Sequence, residues 1–202
     1  MHRSIEMKQS IKSQETKSRI FEAAKQILQE NGYEALSIKH ICEQAAVSNG
    51  SFYHHFKSKE DLLSYYIEEQ PSVTQHLVEL HTVEDLIRNI ARVYIHYASY
   101  CMELGVAFIS AYYNPKNQAL NHDNRTLRAY PIITAEKLIE EAMAREIVWL
   151  QEPLQSVITD LRMIVIGNVF EWCVTEGNAD LQANMQRSIR LYLSAVCRPF
   201  TS

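Results

Sequence analysis

Residues 37–63, SIKHICEQAAVSNGSFYHHFKSKEDLL, constrain the fold more than any other stretch of the chain. They encode two short helices with a tight turn between them, followed at once by a third helix. Ser37 opens the first helix. Ile38, Ile41, Cys42 and Ala45 fall at the i, i+3, i+4, i+7 spacing of one buried helical face. Ala46 and Val47 form the turn. Ser48 suits an N-cap, because its hydroxyl can accept the backbone N–H of Ser51. The next helix, residues 49–56, buries Phe52 and Phe56 and leaves Asn49, Gly50, Ser51, Tyr53 and His54 facing outward. Small polar groups, a phenol and an imidazole on the outer face of so short a helix suit entry into a DNA major groove. Gly50 sharpens this reading. Glycine inside a helix costs about 1 kcal/mol against alanine. It lies nearly opposite Phe52, so core crowding does not explain it, whereas close approach of the helix to another surface does.

The run Ser37-Ile38, Ile41, Ala45, Val47-Ser48, Gly50, Phe52-Tyr53, Phe56, Lys59 and Leu62-Leu63 resembles the signature of the TetR family of transcriptional regulators. The resemblance covers the first third of the chain; beyond it only helical layout and length are similar. Ala46 stands where the family usually has a turn glycine, and Cys42 where it usually has alanine. The resemblance implies an all-α protein with an N-terminal three-helix helix-turn-helix module and a larger helical body for ligand binding and dimerisation. It also implies a repressor that binds a palindromic operator in double-stranded DNA and is released by a small inducer.

Composition agrees with a helical globular protein. Of 202 residues, 47% are apolar, and five Gly and five Pro are too few for a β-sandwich or a disordered chain. No stretch approaches the roughly 20 apolar residues of a membrane span. The polar start, MHRSIEMKQSIKSQETK, lacks a signal-peptide core, so cytoplasm is the expected compartment. Cys42, Cys101, Cys173 and Cys197 form no CxxC pair and suit reduced, buried thiols. The net charge of −4 divides unevenly: residues 1–63 hold nine Lys/Arg against eight Asp/Glu, residues 64–202 eleven against sixteen. Arg3, Lys8, Lys12, Lys17 and Arg19 lie before or at the start of the first helix, and Lys39, Lys57 and Lys59 flank the reading helix. Phosphate attraction is local under physiological salt, so placement matters more than the total.

Start and stop signals predict about nine helices and no strand. Residues 1–13 read as a flexible arm, 14–60 as the DNA-binding module and 61–202 as the body. A first helix over 15–31 ends at Gly32. The fourth starts at Ser58, with Ser58 and Asp61 spaced as a capping box, and continues toward Pro71. Thr82 and Asp85 repeat that spacing before a long helix over 83–102. Further helices fall at 104–113, 131–147, 153–176 and 180–197, with 114–129 read as loop.

Among the candidate DNA contacts, Tyr53, His54 and Lys59 suit phosphates, which position a protein without reading sequence. Asn49, Ser51 and Lys39 suit base edges or nearby phosphates, Asn49 having the amide geometry that reads adenine. Ser37, Ser48 and Gly50 complete the set. In the body, Tyr94, Tyr97, Phe108, Met163 and Trp172 suit the lining of an apolar pocket, with His96 and Asn168 as polar handles. Asn168 faces either that pocket or a second subunit. These residues favour a small, mostly apolar or aromatic effector. Leu154, Val157, Ile158, Leu161 and Val165, with Leu181, Met185, Ile189, Tyr192 and Val196, form the two stripes expected to pair two copies of the chain. His54 and His55 point about 100° apart on a helix and make no shared metal site, and no cofactor is expected. Neither a phosphate loop, a nucleophile elbow nor a zinc-protease motif is present, so an enzyme is not expected. Alternative readings are a helical adaptor that has lost operator binding and, more remotely, an all-helical enzyme.

Overall fold

The computed structural model describes residues 2–68, 77–114 and 130–200. Among them are nine α-helices: α1 (His2–Asn31), α2 (Ile38–Ala45), α3 (Asn49–His55), α4 (Lys59–Glu68), α5 (Val83–Leu104), α6 (Val106–Tyr112), α7 (Tyr130–Ala144), α8 (Leu154–Val174) and α9 (Leu181–Val196). A 3₁₀ turn (Tyr33–Ala35) follows α1, and two strands, β1 (Val148–Leu150) and β2 (Cys197–Pro199), pair antiparallel. None of the described helices is long and apolar enough to cross a membrane.

The chain divides into two compact units. The first comprises residues 1–67 and 107–121. Its core is Ile20, Ala24, Ile27 and Leu28 of α1, Ile41 of α2, Phe52 and Phe56, and Leu62, Leu63 and Ile67 of α4, all buried. Phe21 stacks on Tyr66 at 3.6 Å between centroids and meets Phe108 edge-on at 5.4 Å. Helix α1 stops where the sequence predicts: Gly32 adopts φ 75° and its N–H reaches the Leu28 carbonyl at 3.1 Å. At its other end α1 differs from expectation. It continues back to His2 and takes in residues read from sequence as an arm. No glycine or proline precedes Gly32, so nothing in the backbone interrupts the helix.

The second unit comprises residues 68–106 and 122–202. Helix α5 is its axis. The Thr82–Asp85 capping box forms in both directions, Asp85 N–H to Thr82 Oγ1 at 3.1 Å and Thr82 N–H to Asp85 Oδ2 at 3.0 Å. These bonds, led by the Thr82 hydroxyl, hold the Asp85 carboxyl below its usual pKa. Helix α9 runs antiparallel to α5, with Arg190 bonded to Glu84 at 2.6 Å and Gln182 to Ser99 at 2.7 Å. Asp180 caps α9 by accepting the Ala183 N–H at 3.0 Å. Asn89, wholly buried on α5, clamps the chain at Val78. Its Oδ1 accepts the Val78 N–H at 2.9 Å and its Nδ2 donates to the Val78 carbonyl at 2.7 Å. A buried amide persists only where both its ends are paired, as here.

The ribbon of β1 and β2 was not expected from sequence. Val148 pairs with Pro199, Trp149 with Arg198 and Leu150 with Cys197. Strands of three residues are too short for alternation to register. Arg198 adds bonds to the Ser194 carbonyl at 2.8 Å and to Gln151 Oε1 at 3.2 Å. The expected loop at 114–129 falls, from residue 115 on, outside the described residues, as does part of the stretch before residue 77.

Candidate functional site

The geometry of α2 and α3 follows from two serine caps. Ser37 Oγ accepts the His40 N–H at 3.2 Å and Ser48 Oγ the Ser51 N–H at 3.1 Å. Each cap satisfies one of the orphan donors of a helix start, so both begin where the sequence places them. Between them, Val47 N–H reaches the Cys42 carbonyl at 3.0 Å and Ala46 N–H the Glu43 carbonyl at 3.3 Å, a Schellman closure. That closure holds Ala46 at φ 52°, ψ 48°, a left-handed conformation favoured by glycine.

Helix α3 is fastened by Phe52 and Phe56, both buried, with ring centroids 5.7 Å apart. Its other face is free. Asn49, Gly50 and His54 are exposed, Ser51 is half-buried, and Tyr53 is 57% exposed, propped edge-on by Phe52 at 5.7 Å. A Cβ added at Gly50 meets only Ser48 Oγ, at 3.8 Å, an ordinary contact. Nothing among the described residues therefore requires glycine there. Lys39 is also outward, 3.9 Å from Glu43, a loose pair on an exposed helix. Ser37, Lys39, Ser48, Asn49, Gly50, Ser51, Tyr53 and His54 thus sit on α2, α3 and their caps, none of them in the core.

Lys59 is placed differently. Its ammonium donates to the Leu36 carbonyl at 2.9 Å and lies 4.4 Å above the Tyr33 ring. Tyr33 in turn donates to Glu60 at 3.5 Å, and burial followed by Glu60 raises its pKa. Lys17, another expected phosphate neighbour, donates to the Tyr65 hydroxyl at 3.2 Å and sits 4.3 Å over that ring. Burial, then His54 and Lys17, hold His55 below its usual pKa. Lys57 is exposed two residues before α4, its backbone N–H taken by Asp61 at 2.9 Å. Tyr33 has no part in the sequence reading, since a contact across 26 residues leaves no local pattern.

The effector candidates do not form a single set. Tyr94, Tyr97 and Trp172 are buried in the second unit. The Tyr97 hydroxyl bonds the Cys101 thiol, whose pKa burial pushes up to about 12. The Tyr94 hydroxyl is buried with no hydrogen-bond partner among the described residues, and burial raises its pKa strongly. Phe108 belongs to the first unit, where it packs on Phe21. Met163 is 56% exposed and lines no interior, because it projects from the outer side of α8. His96 and Asn168 are half-buried, and Asn168 Nδ2 already donates to the Ile164 carbonyl at 2.8 Å. Its amide is answered by its own helix.

The two stripes expected at a dimer interface are largely interior, with Leu154 and Tyr192 half-buried and the Tyr192 hydroxyl donating to Asp160 at 2.7 Å. Val157, Leu161 and Val165 of α8 and Leu181, Met185 and Ile189 of α9 are buried within the single chain. Another stripe of α8 is outward: Met163, Gly167, Phe170 at 66% and Val174 at 61% exposure. A Cβ at Gly167 would meet nothing within 4 Å.

Residues 20–66 match the model of the bacterial regulatory proteins of the tetR family. The HTH-type transcriptional regulator UidR of Escherichia coli strain K12 is 37% identical over 83 residues, which is 39% of this chain and 42% of UidR. The chain thus matches about two fifths of that relative's length. Among solved structures, a TetR regulator TylP of Streptomyces fradiae superposes with a TM-score of 0.64 at 24% identity, over 92% of this chain and 88% of TylP. The regulator FadR of Bacillus subtilis, solved with stearoyl-CoA, gives 0.63 at 21%, over 87% and 96%. These structural likenesses extend the shared fold into the body. Residues 20–66 thus carry the helix-turn-helix module of the tetR family of bacterial regulatory proteins, and the rest of the chain shares the fold of the solved regulators.

Proposed function

We propose that this protein is a ligand-responsive transcriptional regulator that binds a palindromic DNA operator as a dimer and represses until a small inducer releases it. In this reading residues 14–60 hold DNA and residues 61–202 serve dimerisation and ligand binding. The observation that carries it is the free face of α3: Asn49, Gly50, Ser51, Tyr53 and His54 outward on a helix fixed by two caps and two buried phenylalanines. A helix this short reads few bases, so useful specificity needs two copies on half-sites about 34–36 Å apart, or a multiple.

The dimer uses the outward stripe of α8, Met163, Gly167, Phe170 and Val174, with Leu191 of α9, which is 64% exposed. Large apolar side chains aligned at helical spacing on a surface mark a partner's footprint. The effector sits beside Tyr94. A buried hydroxyl without a partner is costly, and a ligand's acceptor relieves it. Asn89 and Ser64 are the buried polar side chains among the described residues, so the interior offers no charge to pair with an ion. That favours a neutral or largely apolar effector. A regulator of the same fold was solved with stearoyl-CoA, whose acyl chain is apolar although its carrier is anionic.

The test is selection of duplexes from a randomised pool by the purified protein. Enrichment of a two-fold symmetric site supports the reading, and no enrichment at low salt overturns it.

A further inference from the structure

The position of Lys59 at the start of α4 matches the family signature and invites a phosphate contact. The structure occupies it otherwise. Its ammonium is held on two sides, by the Leu36 carbonyl at 2.9 Å and by the face of Tyr33 at 4.4 Å. Among the backbone bonds of the described residues, the Leu36 carbonyl receives no N–H, so Lys59 satisfies an acceptor that is otherwise left over at the end of the 3₁₀ turn. A lysine drawn to a phosphate has to leave a charge-assisted hydrogen bond and a ring face together. The next residue completes the joint, as Glu60 accepts from the Tyr33 hydroxyl at 3.5 Å.

Leu36 immediately precedes Ser37, the cap of α2. Lys59 is the first residue of α4, and α4 runs to the residue at which the chain passes into the second unit. The joint therefore ties the start of the helix leaving the module to the start of the first helix of the helix-turn-helix. We propose that Lys59 and Tyr33 are positioning residues, an internal latch that holds α4 against the cap of α2, and that Lys59 aids DNA binding by fixing this geometry and not by touching phosphate. Lys57, two residues earlier and exposed, takes the phosphate. This inference rests on the DNA-binding reading above.

The experiment measures affinity for the duplex selected by the wild-type protein, as a function of salt, for Lys59→Met, Tyr33→Leu, their double variant and Lys57→Met. Removing a cation that neutralises a phosphate flattens the slope of log affinity against log salt by about 0.9 for each phosphate, and a dimer counts it twice. The expected result is that Lys59→Met weakens binding about tenfold with its salt slope unchanged, the loss of roughly one charged hydrogen bond. Tyr33→Leu does the same in kind. The double variant is no weaker than the worse single, because both break one joint. Lys57→Met flattens the slope. A flattened slope in Lys59→Met, additive losses in the double variant, or wild-type affinity in both singles overturns the latch. If Lys59→Met fails to fold, Tyr33→Leu decides alone, since it removes no charge: loss of affinity at constant slope supports the latch and unchanged affinity sinks it. Absence of salt-dependent DNA binding by the wild-type protein is a separate outcome and overturns the DNA-binding reading itself.

Discussion

Two residues carry a conformational or polar burden that a single substitution relieves. Ala46 stands at φ 52° in the turn between α2 and α3. Left-handed backbone costs an L-residue about 1–2 kcal/mol, and glycine avoids it at the expense of a floppier unfolded chain. Ala46→Gly is expected to stabilise the protein by about 0.5–1 kcal/mol, read as a rise in urea midpoint at constant m-value. The second is Tyr94, whose hydroxyl is buried with no partner among the described residues. Tyr94→Phe removes that burden and should raise the unliganded Tm by roughly 2–4 °C, or about 1 kcal/mol. If the hydroxyl serves an effector, the same variant weakens binding of neutral acceptor-bearing compounds found by thermal-shift screening. A fall in Tm shows that the hydroxyl is satisfied in solution and removes this argument for a ligand beside it. Both positions are visible in sequence by type, Ala46 as a departure from the family's usual glycine and Tyr94 among the residues expected to line an apolar pocket. The missing partner is not, because it depends on every group that packs around the ring.

At the scale of elements, sequence is most informative where structure is local. Ser37, Ser48, Thr82 and Asp180 each cap the helix they precede, because a cap needs only a side chain and an N–H three residues on. Elements defined by distant partners escape it. β1 and β2 lie on either side of α8 and α9, and Lys59 meets Leu36 from another helix. For α3 the prediction is a division of labour. Tyr53→Ala should weaken binding to all duplexes alike, whereas Asn49→Ala should relax preference at one base pair by about 1–3 kcal/mol. Competition among single-base variants of the selected duplex separates the two, and an Asn49→Ala profile parallel to wild type argues against base reading at that residue.

For the whole molecule the lesson lies in α8. Its apolar residues occupy more than one side, so periodicity alone selects Leu161 and Val165 as readily as Met163 and Phe170. Burial separates them, Val165 being 4% and Phe170 66% exposed. Phe170→Glu should leave a folded monomer by sedimentation, with operator affinity lower by on the order of a hundredfold through loss of the second half-site. Val165→Glu should instead destabilise the chain itself by about 3–5 kcal/mol, since it buries an unpaired charge. A folded Phe170→Glu variant that remains a dimer counts against this face.

The small ribbon also has a temporal meaning. By joining 148–150 to 197–199 it ends a loop that contains all of α8 and α9. Closing so long a segment is slow to search for but, once closed, limits how independently the two helices open. They are therefore expected to unfold as one event. In native-state hydrogen exchange their slowest amides should share a single opening free energy and a single denaturant dependence.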